Sequence, residues 1–129
     1  MHKKLEHILC VDDEPDVLRL ITMCLETVGQ FRVSTATHGQ QALTRAAELA
    51  PDIILLDVMM PGMDGPATLA QLRANPHTSA IPVIFMTARI RGSEVDEYVA
   101  LGANGVIAKP FDPMQISAEV QAIWNRTHE

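Results

Sequence analysis

Four short apolar runs in this chain end on residues that can do chemistry. His7-Ile8-Leu9-Cys10-Val11 ends on Asp12-Asp13-Glu14, and Ile53-Ile54-Leu55-Leu56 ends on Asp57. Ile81-Pro82-Val83-Ile84-Phe85-Met86 ends on Thr87, and Val106-Ile107-Ala108 ends on Lys109. Runs this short and this apolar read as strands of a parallel sheet buried on both faces. Their C-terminal ends then share one rim, where open α/β folds place their ligands. Three carboxylates there, Asp12, Asp13 and Asp57, repel one another unless a cation neutralises them. Hard oxygen donors with room for water suit Mg2+ better than a soft metal.

The same rim holds the parts for phosphoryl transfer. Asp57 can act as a nucleophile and form an aspartyl phosphate. A metal ion can offset the charge that develops on the donor and acceptor oxygens. The Lys109 ammonium can pair with one phosphoryl oxygen, and the Thr87 hydroxyl can donate to another. Each residue also has a plainer reading. Acidic residues are favoured at helix starts, lysines are common on surfaces, and threonines often cap loops. The plain readings weaken when all four positions fall on one edge.

The elements that must position these residues follow in order. A helix begins near Pro15, where a missing N–H costs nothing. Val17, Leu18, Ile21, Cys24, Leu25 and Val28 form its core stripe, and Gly29 ends it. Leu20 and Met23 fall outside that stripe and neighbour each other. Phe31–Ala36 alternates like a half-exposed edge strand. Helices are expected over about 39–50, 66–73, from Ser93 as N-cap to about Gly102, and 113–125. Their apolar positions include Leu69 and Leu72, then Val95, Tyr98, Val99 and Leu101, then Ile116, Val120 and Ile123. Five strands alternating with five helices make a single α/β domain with a parallel sheet. The right-handed crossover rule leaves few topologies. The flavodoxin-like (βα)5 order 2-1-3-4-5 suits this length, by analogy with folds of that size.

Composition narrows the function. With 129 residues and a net charge of −6, the chain lacks the basic surface that direct nucleic-acid contact needs. No run approaches the ~18 apolar residues of a membrane span, and Met1-His2-Lys3-Lys4 is no signal peptide. Membrane insertion is not expected, and the cytoplasm is the expected location. Cys10 and Cys24 read as buried thiols, and the five histidines as surface residues. Trp124, Met60 and Met63 read as packing residues.

Four segments in this order and spacing carry a resemblance to a known family. They are Asp12-Asp13-Glu14-Pro15, Leu56-Asp57-Val58-Met59-Met60-Pro61-Gly62-Met63-Asp64-Gly65, Thr87-Ala88 and Lys109-Pro110-Phe111. Across almost its whole length the chain resembles the receiver domain of a two-component response regulator. The resemblance implies that Asp57 is the phosphoacceptor, supplied by a sensor histidine kinase or a histidine phosphotransfer protein. It implies Mg2+ held by Asp13, Asp57 and the Met59 backbone carbonyl, with Asp12 acting mainly through water. Thr87 and Lys109 would contact the phosphoryl group, and the Lys109-Pro110 bond would be cis. A downstream protein target would meet the face formed by the fourth helix, fifth strand and fifth helix.

One position departs from the family pattern. Val106 stands where many receivers carry Tyr or Phe, and a small β-branched side chain cannot make the usual aromatic swing. Met59 and Arg89 occupy positions that tune phosphate lifetime in the family. Leu20 and Met23, with the loop after the fifth strand at Pro110, form a docking surface for the phosphodonor, or else the pair packs against the last helix. Residues 1–129 are read as one receiver domain with no output domain, acting as a signalling receiver whose only catalysis is self-directed. Two alternatives are a receiver-like interaction or dimerisation module that never takes phosphate and a Mg2+-dependent phosphohydrolase, though no cap segment for a substrate pocket is evident.

Overall fold

Alternate side chains of each strand point to opposite faces, and helices cover both faces of this sheet, so unbroken apolar runs are what the strands require. In the computed structural model, which describes residues 3–88 and 92–128, β1 is His7–Val11, β2 Arg32–Ala36, β3 Ile53–Asp57, β4 Val83–Thr87 and β5 Gly105–Ala108. The helices between them are α1 Pro15–Thr27, α2 Gly39–Leu49, α3 Gly65–Ala74, α4 Gly92–Ala100 and α5 Ile116–Thr127. All neighbouring strands are parallel, in the order β2-β1-β3-β4-β5. This is the flavodoxin-like arrangement expected from the sequence, with β2 at an edge.

The core has two halves. Ile8, Cys10, Ile53, Leu55, Ile84 and Met86 meet Leu18, Ile21 and Leu25 of α1 and Ile116, Val120 and Ile123 of α5. Leu9, Val11, Ile54, Leu56, Val83 and Phe85 face the other way, onto Ala42 and Ala46 of α2 and Leu69 and Leu72 of α3. Tyr98 of α4 joins that second half, its ring edge-on to Phe85 with centroids 5.2 Å apart. Cys10 and Cys24 are buried free thiols, as read from the sequence, and Trp124 is a packing residue.

Several local expectations give way to tertiary packing. Val28 is exposed because α1 ends at Thr27, before the stripe reaches it. Val99 and Leu101 are also exposed, because α4 buries no residue fully and reaches the core through Tyr98. Ser93 lies within the first turn of α4 and does not precede it. α5 starts at Ile116, three residues after Pro113. His7 is buried in β1, where its Nε2 lies 2.8 Å from the Ser34 hydroxyl of β2. Burial, with Arg32 nearby, holds its pKa below the usual histidine value.

Candidate functional site: an acidic rim at the ends of β1, β3, β4 and β5

Strand register assembles the rim. β1 pairs with β3 through Val11 and Leu56, so the next residues, Asp12 and Asp57, emerge side by side. β3 pairs with β4 through Asp57 and Met86, and β4 with β5 through Thr87 and Ala108. The ladder continues one step beyond each strand. The Asp12 amide donates to the Ala36 carbonyl at 3.1 Å, Val58 N–H to Met86 at 3.1 Å, and Lys109 N–H to Thr87 at 2.9 Å. These bonds fix where the polar residues leave the sheet. The Lys109-Pro110 peptide bond is cis, as the resemblance implies.

Side chains then converge. One oxygen from each of Asp12, Asp13 and Asp57 lies within 4.8 Å of the others. The Lys109 ammonium stands 2.7 Å from Asp12 Oδ2 and 3.3 Å from Asp57 Oδ1. Asp12 and Asp57 are almost fully buried, whereas the Lys109 side chain keeps 21% of its surface exposed. The second Asp12 oxygen accepts the Glu14 amide at 2.9 Å, so this carboxylate is held at both ends.

Electrostatics follow from the crowding. Burial, and then the Asp12 charge, push the Asp57 pKa above its ordinary value, against the pull of Lys109 and of a hydrogen bond donated by the Met59 amide. Burial works against the Lys109 ammonium as well. The bonds and charges of Asp12 and Asp57 outweigh it and raise the Lys109 pKa. Three carboxylates against one ammonium leave two formal negative charges, which one divalent cation balances. The donors are all oxygen, so a hard cation is the matching kind.

The remaining sequence-singled residues sit around this cluster. Thr87 is buried at the end of β4, beside the rim. The Met59 side chain is exposed while its amide serves Asp57. Val106 lies in β5 opposite Phe85, partly buried. Pro110 is exposed next to Lys109, and Leu20 and Met23 are exposed on α1. Arg89 lies outside the described residues. Two clefts of about 520 and 560 Å³, one beside Lys4 and Gln121 and one along α1 by Met23, include none of the three clustered carboxylates. Sequence reasoning missed the Met59 amide as a donor to Asp57, because a backbone N–H leaves no mark on residue type.

Fold and rim together define the class: the chain belongs to the response regulator receiver domain family, whose model matches residues 8–121. Among curated relatives, it is 36% identical over 124 residues to the DNA-binding response regulator MtrA of Mycolicibacterium smegmatis, covering 96% of this chain and 53% of that protein. It is 39% identical over 129 residues to the alkaline phosphatase synthesis transcriptional regulatory protein PhoP of Bacillus subtilis, covering 98% and 50%. The chain therefore spans about half the length of these relatives. Among solved structures, the chemotaxis protein CheY4 of Vibrio cholerae aligns with a TM-score of 0.84 at 28% identity, covering 93% of this chain and 99% of that one. A putative response regulator from Chloroflexus aurantiacus aligns with a TM-score of 0.84 at 32% identity, covering 95% and 100%. Two of these relatives are named as DNA-binding or transcriptional regulators, so the expectation of no nucleic-acid contact is not carried beyond these 129 residues. Among the described residues, no helix is long and apolar enough to cross a membrane.

Proposed function

We propose that this receiver domain accepts a phosphoryl group from a phosphohistidine onto Asp57 and thereby switches a protein-binding surface. The observation that carries the reading is the Asp57 carboxylate, buried at a strand end, with a lysine ammonium 3.3 Å away and two further carboxylates within 4.8 Å. One Asp57 oxygen attacks phosphorus and the phosphorus–nitrogen bond breaks; the phosphohistidine ring, already protonated on its other nitrogen, keeps that proton, takes back the bonding electron pair and leaves as neutral histidine. Lys109 holds Asp12 and Asp57 and is placed to pair with the charge arriving on phosphorus. The Met59 amide holds the Asp57 carboxylate in orientation. Mg2+ bound by Asp13, Asp57 and the Met59 carbonyl, with Asp12 through water, would neutralise charge on the phosphoryl oxygens. Thr87 donates to the phosphoryl group once it is in place. Any turnover is limited to this self-phosphorylation and the hydrolysis that reverses it.

The donor is a sensor histidine kinase or a histidine phosphotransfer protein, docking on Leu20 and Met23 of α1 and on the loop at Pro110. The output surface is the α4–β5–α5 face, where Val95, Val99, Val106 and Ala108 line an open groove with Arg126. Val106 removes the aromatic swing from that output, so the change is carried by Thr87 and the neighbouring loops. Met59 and Arg89 set the lifetime of the phosphorylated state. We read residues 1–129 as a single receiver unit.

The deciding experiment is intact mass after incubation with a small-molecule phosphodonor and Mg2+, for wild type and Asp57→Asn. We expect one phosphoryl group on wild type, and none on the variant or without Mg2+. No adduct on wild type, together with no binding of a non-hydrolysable phosphate mimic, would replace this reading with that of an unphosphorylated interaction module.

A further inference from the structure

Gly65 opens α3 eight residues after Asp57, and its conformation does not explain why it is glycine. Its φ lies outside the left-handed region, unlike those of Gly62 and Gly102. The reason is space. A β-carbon on Gly65 would stand 2.8 Å from the Asp57 carbonyl oxygen and 2.8 Å from Val58 Cα. Both are main-chain atoms and cannot rotate aside. Nothing lies within 4 Å of the corresponding point on Gly62, in the same loop.

We propose that Gly65 is a positioning residue for the Asp57 site, its missing side chain letting the start of α3 lie against the Asp57–Val58 peptide and so fixing the Met59 peptide beside the Asp57 carboxylate. The loop has little slack. Gly65 N–H donates to the Val58 carbonyl at 3.0 Å, and Val58 N–H donates to Met86 at 3.1 Å. Val58 and Met60 are buried in the core and anchor the loop on either side of Met59. Asp64 caps α3, its Oδ1 accepting the Ala67 amide at 2.9 Å. The loop thus leaves β3 and returns to the same peptide. A side chain at Gly65 must push α3 outward, and the Gly65–Val58 bond passes that shift to the peptide that serves Asp57. Losing a residue that holds a metal-binding group in place typically costs about 10- to 100-fold in affinity.

This inference rests on the reading of the rim as a Mg2+ site. Its test is Mn2+ binding followed by electron paramagnetic resonance, with metal-free melting curves, for wild type, Gly65→Ala and Arg73→Ala. Arg73 is a control far from the loop. It clamps the end of α3 to the carbonyls of Ser79, Ile81 and Gly102, and its loss loosens the fold elsewhere. Gly65→Ala should bind Mn2+ about tenfold more weakly, whereas Arg73→Ala, though less stable, stays within about twofold of wild type. Affinity of Gly65→Ala within about twofold of wild type overturns the proposal. So does an equal loss in both variants, which would mark general loosening. If Gly65→Ala does not fold, Gly39→Ala replaces it, since a β-carbon there would lie 2.6 Å from Thr68 Oγ1 and 2.9 Å from Met63 Cβ and crowd the same loop. That variant should lose about threefold in affinity, and an unchanged value overturns the proposal. Wild type that binds no Mn2+ overturns the metal-site reading and this inference together, whereas wild-type binding with unaffected variants removes only the inference.

Discussion

Asp57 carries a charge that its surroundings disfavour. Burial comes first and the Asp12 carboxylate second, and together they raise its pKa despite Lys109. A carboxyl whose folded pKa lies above the unfolded value of about 3.9 binds a proton more tightly when folded. Its favourable contribution is therefore present in acid and lost as pH rises through the folded pKa. At neutral pH, without metal, the ionised Asp57 costs stability. Asp57→Asn should accordingly melt a few degrees higher than wild type in chelator at pH 7. The advantage should vanish in acid, and shrink when Mg2+ stabilises wild type by mass action. Melting curves with and without Mg2+ check this, and a lower melting point for Asp57→Asn in chelator would show that Lys109 already satisfies the rim. Lys109 itself argues the same point, since two carboxylates share one ammonium.

Among the elements, the junction before β3 is held as firmly as its functional end. Asp52 Oδ2 accepts the amides of Glu6 and His7, each at 2.9 Å, and its other oxygen pairs with Lys3 at 2.7 Å. Burial opposes ionisation of Asp52, but the Lys3 bond and the two amides outweigh it and hold the pKa below the usual carboxylate value. That contribution is present above about pH 4 and lost as pH falls through the folded value. Asp52→Ala leaves both amides without a partner and should cost about 3 kcal/mol at pH 7. Urea unfolding across the acid range should show the gap narrowing as Asp52 protonates. A gap that stays constant would mean that shape, and not charge, holds the junction. The sequence could not show this clamp, because its members lie more than forty residues apart. It could show the strands, because β1, β3 and β4 are buried on both faces and each keeps a run of apolar residues. The rim was legible for the same reason, since a run that stops on Asp or Lys marks both a boundary and a side chain at the edge. α4 was less legible. Its periodicity marks Val99 and Leu101 as core positions, yet the helix meets the sheet through a narrower stripe. Gly65 was visible only as a turn former, because its contact with the Asp57 backbone is tertiary.

On the scale of the whole molecule, the side chains outside the core show where a partner could attach. Leu20 and Met23 keep 42% and 59% of their surfaces exposed and lie outside both halves of the core. Leu20→Ala and Met23→Ala should each cost no more than about 1–2 kcal/mol of stability. If α1 docks the phosphodonor, the double variant should accept phosphate from a protein phosphohistidine about tenfold more slowly, with uptake from a small-molecule donor unchanged. Equal slowing with both donors would place the effect in the Asp57 chemistry and not in docking. β3 also sets a distance. Asp52 precedes it and Asp57 ends it, and at about 3.3 Å per residue the two stand roughly 16 Å apart. Lys3 lies at the Asp52 end, where its carbonyl also accepts the Trp124 indole N–H from α5. Lys3 and Trp124 thus meet at the Asp52 end of β3, on the side away from the carboxylates. A label attached beside Lys3 or Trp124 therefore sits a strand's length from the carboxylates and leaves the Asp57 rim open.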